Sequence, residues 1–228
     1  MLGDPPLLTL RQRFPRPDPA EVDAFRGVPS SFVVDAMMGQ GALDHRIKPL
    51  TTEMKLAGVA LTARCGPRDN LAVYVAMRVA KPGDVLILQV DAYERAAIIG
   101  DHVAQIMQNL GIAGVVTDGL VRDVEGILEV GLPVFATGVT PNSPYKNGPV
   151  EVGTPLAIGG LPVDAGDLIV GDRDGVVVVP RLGIAEVITS LDDVRAKERA
   201  AGEQIASGMT IPAWVDELIA SERTRHLD

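Results

Sequence analysis

Apolar residues along this chain follow two alternating patterns, short uninterrupted runs and stripes spaced three or four residues apart. The runs at 85–90 and 113–117 hold almost no polar residue, which predicts buried strands, while 56–63 alternates like a strand and 132–136 reads as another. Helical patterns fill the gaps between them. Asp69 predicts the cap of a helix from Asn70 to about Ala80, closed by the turn Lys81-Pro82-Gly83-Asp84. Helix-forming sequence follows Val90, carries Gly100 and ends at Leu110-Gly111. A further helix beginning near Arg122 keeps Val124, Ile127, Leu128 and Val130 on one side before Gly131 stops it. Strand, helix, strand in this order predicts crossover units and a parallel sheet.

The flanks read differently. A Pro-rich arm reaches Pro19, and short helices are predicted at 20–25 and 31–38, the second with Ser30 or Ser31 as N-cap and Gly39 as stop. Beyond Gly153, strands at 156–158, 161–163, 168–170 and 176–179 are joined by Gly-Gly, Ala-Gly-Asp and Asp-Arg-Asp-Gly turns, which predicts an antiparallel meander. A long charged amphipathic helix at 182–207 and a last one at 211–221 complete the chain. The expected architecture is α/β in three layers, a single domain over 1–228 with an N-terminal arm and helix at 1–30 and C-terminal helices at 182–228.

Composition narrows the partners. With 228 residues and 46% apolar positions the chain can bury one large core, and only 4% aromatic residues means that an aliphatic one must form by close approach of elements. No run approaches the roughly 18 apolar residues of a membrane span, and Asp4, Pro5 and Pro6 break the apolar patch that a signal peptide needs. A single cysteine, Cys65, excludes an internal disulfide, so the expected compartment is cytoplasmic. A net charge of −9 without a basic run disfavours nucleic acid. The same field repels a small carboxylate ligand, so local cations would have to capture one.

Candidate chemistry gathers at two predicted strand ends. Gly100-Asp101-His102 lies in the crossover after 85–90, and Asp118-Gly119-Leu120-Val121-Arg122-Asp123 follows 113–117. Ligands of open α/β sheets bind outside the carboxyl ends of strands. There Arg122 can grip a carboxylate with both arms, Asp123 can hold a hard divalent cation, and Asp101 can orient a water for proton transfer. Arg-Asp occurs at 68–69, 122–123 and 173–174, but only the middle pair has an Asp 21 residues before its Arg and a strand directly upstream. Asp118-Gly119 and Gly171-Asp172-Arg173-Asp174-Gly175 read as turns. Cys65 and Trp214 read as packing residues. There is no zinc-spaced Cys/His cluster, phosphate loop or dinucleotide fingerprint.

The segment GIAGVVTDGLVRD (111–123), with Asp101 upstream and PGDVLIL (82–88), GLPVFATG (131–138) and AGDLIVGDRDGVVVVP (165–180) around it, resembles the class II pyruvate aldolases. These enzymes cleave 4-hydroxy-4-methyl-2-oxoglutarate or 4-carboxy-4-hydroxy-2-oxoadipate and share their fold with the RraA regulators of ribonuclease E. The resemblance runs from about Ser31 to Glu203. It implies a three-layer β/β/α sandwich of the swivelling-domain type with a mixed central sheet. It also implies that Arg122 binds the pyruvyl carboxylate, Asp123 ligates Mg2+, Mn2+ or another divalent cation, and Asp101 positions a proton-shuttling water. Backbone N–H groups of Gly100, Asp101, His102 and Val103 would cradle the carboxylate, with no catalytic role for the His102 ring. Asn70, Lys146 and Glu198 match pocket-lining positions, Glu198 coming from a neighbouring subunit of a homotrimer or homohexamer. Without the resemblance Lys146 is a solvated loop lysine and Glu198 sits on a charged helix face. Oxaloacetate decarboxylation is the expected side activity, and a Schiff-base mechanism is disfavoured because none of Lys48, Lys55, Lys81, Lys146 and Lys197 sits in an apolar strand. The competing expectation is a non-catalytic RraA-type regulator that binds a ribonuclease or helicase. The intact Arg122-Asp123 pair disfavours it.

Overall fold

A computed structural model describes residues 6–227. The chain runs through β1 (Leu8–Leu10), α1 (Pro19–Asp23), α2 (Ser30–Ala36), β2 (Lys48–Pro49), β3 (Leu56–Arg64), α3 (Leu71–Val79), β4 (Asp84–Gln89) and α4 (Asp101–Asn109). It continues through β5 (Gly114–Thr117), β6 (Leu120–Val121), α5 (Val124–Val130), β7 (Val134–Ala136), β8 (Gly138–Val139), β9 (Val150–Val152), β10 (Leu156–Ile158) and β11 (Leu161–Val163). The remaining elements are β12 (Leu168–Asp172), β13 (Gly175–Val179), α6 (Ile184–Ala206) and α7 (Ala213–Ala220). Two compact units are present, one running to Leu191 and the other beginning at Asp192. Helix α6 starts in the first and continues into the second.

The predicted strands 85–90 and 113–117 form the middle of a mixed sheet ordered β1-β9-β3-β4-β5-β7-β2, in which β3, β4, β5 and β7 are parallel. Both faces of β4 are covered, which is why its sequence is apolar without alternation. Leu86 and Leu88 face a core shared with α3, α4 and α5, through Ala72, Val73, Ala104, Met107 and Ile127. Val85 and Ile87 face the opposite core, built with Leu156, Ile158 and Val163 of the β10–β11 hairpin and with Leu43 and Ile47. A third core lies under α1, α2 and the first turns of α6, where Phe25, Val33, Ile184 and Leu191 meet Val59, Leu168 and Val177. This is the mixed-sheet α/β arrangement with a long C-terminal helix that the sequence predicts.

Several expectations need correction. The strands after Gly153 form two separate hairpins instead of one meander: β10 pairs only with β11, while β12 joins β13 and the edge of β3. Helix α2 has Pro29 at its N-cap, because the Ser30 N–H and Oγ both donate to the Asp172 carboxylate, at 2.8 and 2.7 Å. The stretch after Val90 stays non-helical until Asp101. Asp91 and Ala92 are left-handed, and the Asp118 carboxylate accepts the N–H groups of Val90 and Ala92 at 2.7 and 2.9 Å. Strands β1, β2, β6, β8 and β9 have no periodic signal of their own, being two or three residues long and set by their partners.

The proline-rich arm is fastened at the other end of the sheet. Arg16 meets Asp84 with both arms, NH2 at 2.9 Å from Oδ2, and the Asp84 side chain is only 1% exposed. In the unit that starts at Asp192, every residue of α7 is exposed or partly so, including Trp214 and Leu218.

Candidate functional site

Four loops meet beyond the carboxyl ends of β4 and β5. The segment before α4 is held to the 120–122 segment by a backbone ladder: Ile98 N–H donates to Leu120 O at 2.7 Å, and Arg122 N–H donates to Ile99 O at 3.1 Å. That ladder places Gly100 against the Arg122-Asp123 pair. A Cβ on Gly100 would collide with the Asp123 carboxylate and lie 3.1 Å from Arg122 Cγ and Nε. Gly100 is extended, at φ −134° and ψ −170°, so close approach alone demands glycine here.

Arg122 and Asp123 leave β6 and open α5. The Arg122 Nε lies 3.1 Å from Asp123 Oδ2, with the two side chains 38% and 43% exposed. The Arg122 NH1 donates to Ser143 Oγ at 2.7 Å. Asp123 is left-handed at φ 54° and ψ 47°, a conformation that costs a non-glycine residue about 1 kcal/mol. Its carbonyl accepts the N–H of Ile127 at 3.0 Å, so the same residue starts the helix and aims its carboxylate back at Gly100.

Asp101 is the first residue of α4 and packs on α5. A Cβ on Gly126 would sit 2.7 Å from Asp101 Cβ and 2.9 Å from its Oδ2, so a second glycine leaves room for this carboxylate. The structure therefore brings Gly100, Asp101, Arg122 and Asp123 together. The expected anion cradle is narrower than the sequence suggests, because His102 N–H donates to Asp101 Oδ1 at 2.7 Å. The His102 ring is exposed, and Val103 packs partly against the core.

The remaining expected residues divide. Asn70 is buried at 3% exposure, its Nδ2 donates to Ile98 O at 3.0 Å, and its Oδ1 has no partner. It thus braces the segment that carries Gly100. Lys146 is exposed with Nζ 5.3 Å above the Tyr74 ring. Glu198 lies exposed on α6, in the unit that starts at Asp192. Asp118 is structural, holding the 90–92 loop. Burial pushes its carboxyl above the usual aspartate value, against the opposing effect of the Val90 and Ala92 N–H bonds.

Sequence reasoning missed two residues here. Ser143 anchors Arg122, and Asp69 ties the 143–148 loop down: its Oδ1 accepts Leu71 N–H at 2.8 Å, and its Oδ2 accepts the N–H groups of Asn147 and Gly148. Asp69 was read only as a helix cap, and its second oxygen reaches nearly 80 residues along the chain.

A cleft of about 330 Å³ lined by Arg26, Lys55 and Arg173 lies elsewhere, at the start of β3. The Arg122-Asp123 site is an open recess. Among the described residues no three His, Cys, Asp or Glu side chains gather to hold a metal ion. Magnesium needs less than that, since it keeps several waters and binds through one or two carboxylates. The Asp123 carboxylate over the bare Cα of Gly100 is a hard-oxygen donor of that kind and fits such an ion.

Comparisons with known proteins bear on the family and the fold. The RraA-like family model, described as Aldolase/RraA, matches residues 30–178. A Halalkalibacterium halodurans protein named "Putative 4-hydroxy-4-methyl-2-oxoglutarate aldolase" is 37% identical over 88% of this chain and 97% of its own. A Thermus thermophilus protein named 4-hydroxy-4-methyl-2-oxoglutarate aldolase is 32% identical over 61% of this chain and 84% of its own. Streptomyces coelicolor RraAS2, described as an unusual member of the RNase ES inhibitor RraA family, superposes with a TM-score of 0.75 at 28% identity, over 83% of this chain and 100% of that one. No helix among the described residues is long and apolar enough to cross a membrane. Family match, fold and relatives converge, and the chain belongs to the RraA-like aldolase family.

Proposed function

We propose that this chain is a divalent-metal-dependent aldolase that splits a 4-hydroxy-2-oxo dicarboxylic acid, such as 4-hydroxy-4-methyl-2-oxoglutarate or 4-carboxy-4-hydroxy-2-oxoadipate, into pyruvate and a second oxo acid. The observation that carries this reading is the contact of Gly100 with Arg122 and Asp123, which gathers a guanidinium, two carboxylates and the start of α4 around one recess. The names of the relatives support the substrate class.

The chemistry follows from the charges. Breaking C3–C4 of a 2-oxo acid leaves an electron pair on C3 that spreads onto the 2-oxo oxygen, and a cation beside that oxygen lowers the barrier. Arg122 binds the C1 carboxylate and sets its positive charge next to the oxygen, while Ser143 keeps the guanidinium from collapsing wholly onto Asp123. Asp123, with Asp101 near, holds Mg2+ or Mn2+, which when bound supplies Lewis-acid stabilisation of the same developing charge. Asp101 relays the proton of the 4-hydroxyl through a water and returns it to C3 of the departing three-carbon fragment. Loss of CO2 from oxaloacetate leaves the same electron pair, which makes decarboxylation the accompanying activity.

Asn70 and Lys146 line the approach, and the half-exposed recess is closed by Glu198 of a neighbouring subunit in a homotrimer or homohexamer. A coupled assay of pyruvate release with and without EDTA tests the reading. Turnover should require the metal and fall about a hundred- to a thousandfold in Arg122→Ala, the scale seen when a charge-stabilising group is removed. Asp123→Ala should lose both activity and metal response. The fold likeness to the RNase ES inhibitor family supports a second reading, a regulator that binds a ribonuclease. Metal-independent silence toward every 4-hydroxy-2-oxo acid and oxaloacetate would favour that one.

A further inference from the structure

Two arginines converge on one residue of the loop that flanks the recess. Arg122 NH1 donates to Ser143 Oγ at 2.7 Å, and Arg68 Nε donates to Ser143 O at 3.4 Å. The Arg68 guanidinium is stacked 4.6 Å from the centre of the Tyr145 ring. Its backbone is paired to the same loop: Tyr145 N–H donates to Arg68 O at 2.6 Å, and Asn70 N–H to Tyr145 O at 2.9 Å. Arg68 is left-handed at φ 57°, a conformation that disfavours a side-chain-bearing residue and that glycine would adopt freely. Among the described residues it forms no ion pair. A pre-organised, uncompensated guanidinium is thus held beside the site in a chain of net charge −9.

Resting on the aldolase reading, the geometry points to Arg68 as the residue that selects dicarboxylic substrates by binding the carboxylate farthest from the 2-oxo group. Both oxygens that the two arginines touch belong to Ser143, which limits the separation of the two donating nitrogens to about 10 Å. A four-bond carbon chain holds its terminal carboxylate carbons about 5 Å apart, and a hydrogen bond at each end spans the rest. Arg122 takes the carboxylate next to the oxo group and Arg68 the distal one. The Tyr145 face and the Ser143 carbonyl hold the Arg68 fork in place, so little side-chain freedom is lost when the substrate arrives.

Titration calorimetry of the full chain with 2-oxoglutarate and with pyruvate, in the presence of Mg2+, tests this directly. The wild type should prefer 2-oxoglutarate. Arg68→Gly removes the cation at a position whose φ suits glycine, so it should fold at least as well as the parent. It should weaken 2-oxoglutarate about 10- to 100-fold, the range for a charge-assisted bond, and leave pyruvate affinity within about twofold. Arg68→Lys should fall between the two. In turnover, the ratio of kcat/KM for 4-hydroxy-4-methyl-2-oxoglutarate over the monocarboxylic 4-hydroxy-2-oxopentanoate should collapse through KM for the diacid. A parallel loss for both ligands, or an unchanged preference, overturns the assignment while the aldolase reading stands. If the wild type binds neither ligand and does not exchange the pyruvate methyl protons, the aldolase reading itself fails and takes this one with it.

Discussion

Replacing Gly100 by alanine isolates the contact on which the site is built. The added methyl would collide with the Asp123 carboxylate and press on Arg122 Cγ and Nε at 3.1 Å. The backbone there is extended, so the substitution brings no conformational strain. The atoms it meets are side-chain ends that are 38% and 43% exposed, so they can swing aside and global stability should fall by no more than about 1 kcal/mol, the low end for overpacking. The site has no such freedom. Moving the Asp123 carboxylate and the guanidinium by about 1 Å should cost about a hundredfold in kcat/KM and raise the Mg2+ concentration needed for half-maximal rate. Gly131→Ala is the matched control, at φ 76° with nothing within 4 Å of a new Cβ. It should cost about 1 kcal/mol through backbone strain and leave kinetics untouched. Pyruvate release coupled to NADH oxidation, Mg2+ titration and urea unfolding of the three proteins decide the matter. Near-normal turnover of Gly100→Ala with an unchanged metal requirement would refute the assignment of the Arg122-Asp123 recess as the reaction centre.

Three further outcomes follow from buried groups. Arg16→Ala leaves the Asp84 carboxylate, 1% exposed, with only the Lys81 N–H at 2.9 Å, and should cost about 3 kcal/mol in urea unfolding. Burial raises the Asp118 carboxyl above its value in the unfolded chain, so its contribution to stability is present at low pH and is lost as pH rises through the folded value; Asp118→Asn, followed by unfolding at several pH values, should flatten that slope while costing about 1–3 kcal/mol at neutrality, because an amide cannot accept from both Val90 and Ala92. Burial pushes the Cys65 thiol up to about 12, so a disulfide reagent should fail to label the native protein and should label it fully in denaturant.

The central strands were legible because continuous apolar runs have one stable home, a sheet covered on both faces. Helices α3, α5 and α6 were legible from their spacing, with Gly131 closing α5 in the left-handed form its residue type predicts. The short strands were not, since β1 and β9 pair with strands far along the chain. The segment 91–100 looked helical by composition, yet Asp118 pins its start and buried Ala96 to Ile99 hold its end in the core, so tertiary demands overrode local preference.

The site shows the same division. Residue type, position at predicted strand ends and the family resemblance together pointed to Asp101, Arg122 and Asp123, and the fold sets Gly100 against the Arg122-Asp123 pair. Ser143, Arg68 and the second oxygen of Asp69 were invisible, for their roles are contacts between loops that lie 21 to 79 residues apart. Local periodicity and residue chemistry are written in order along the chain and can be read there. Which loop closes on which, and therefore which cation faces which end of a ligand, is decided only when the folded sheet sets the distances.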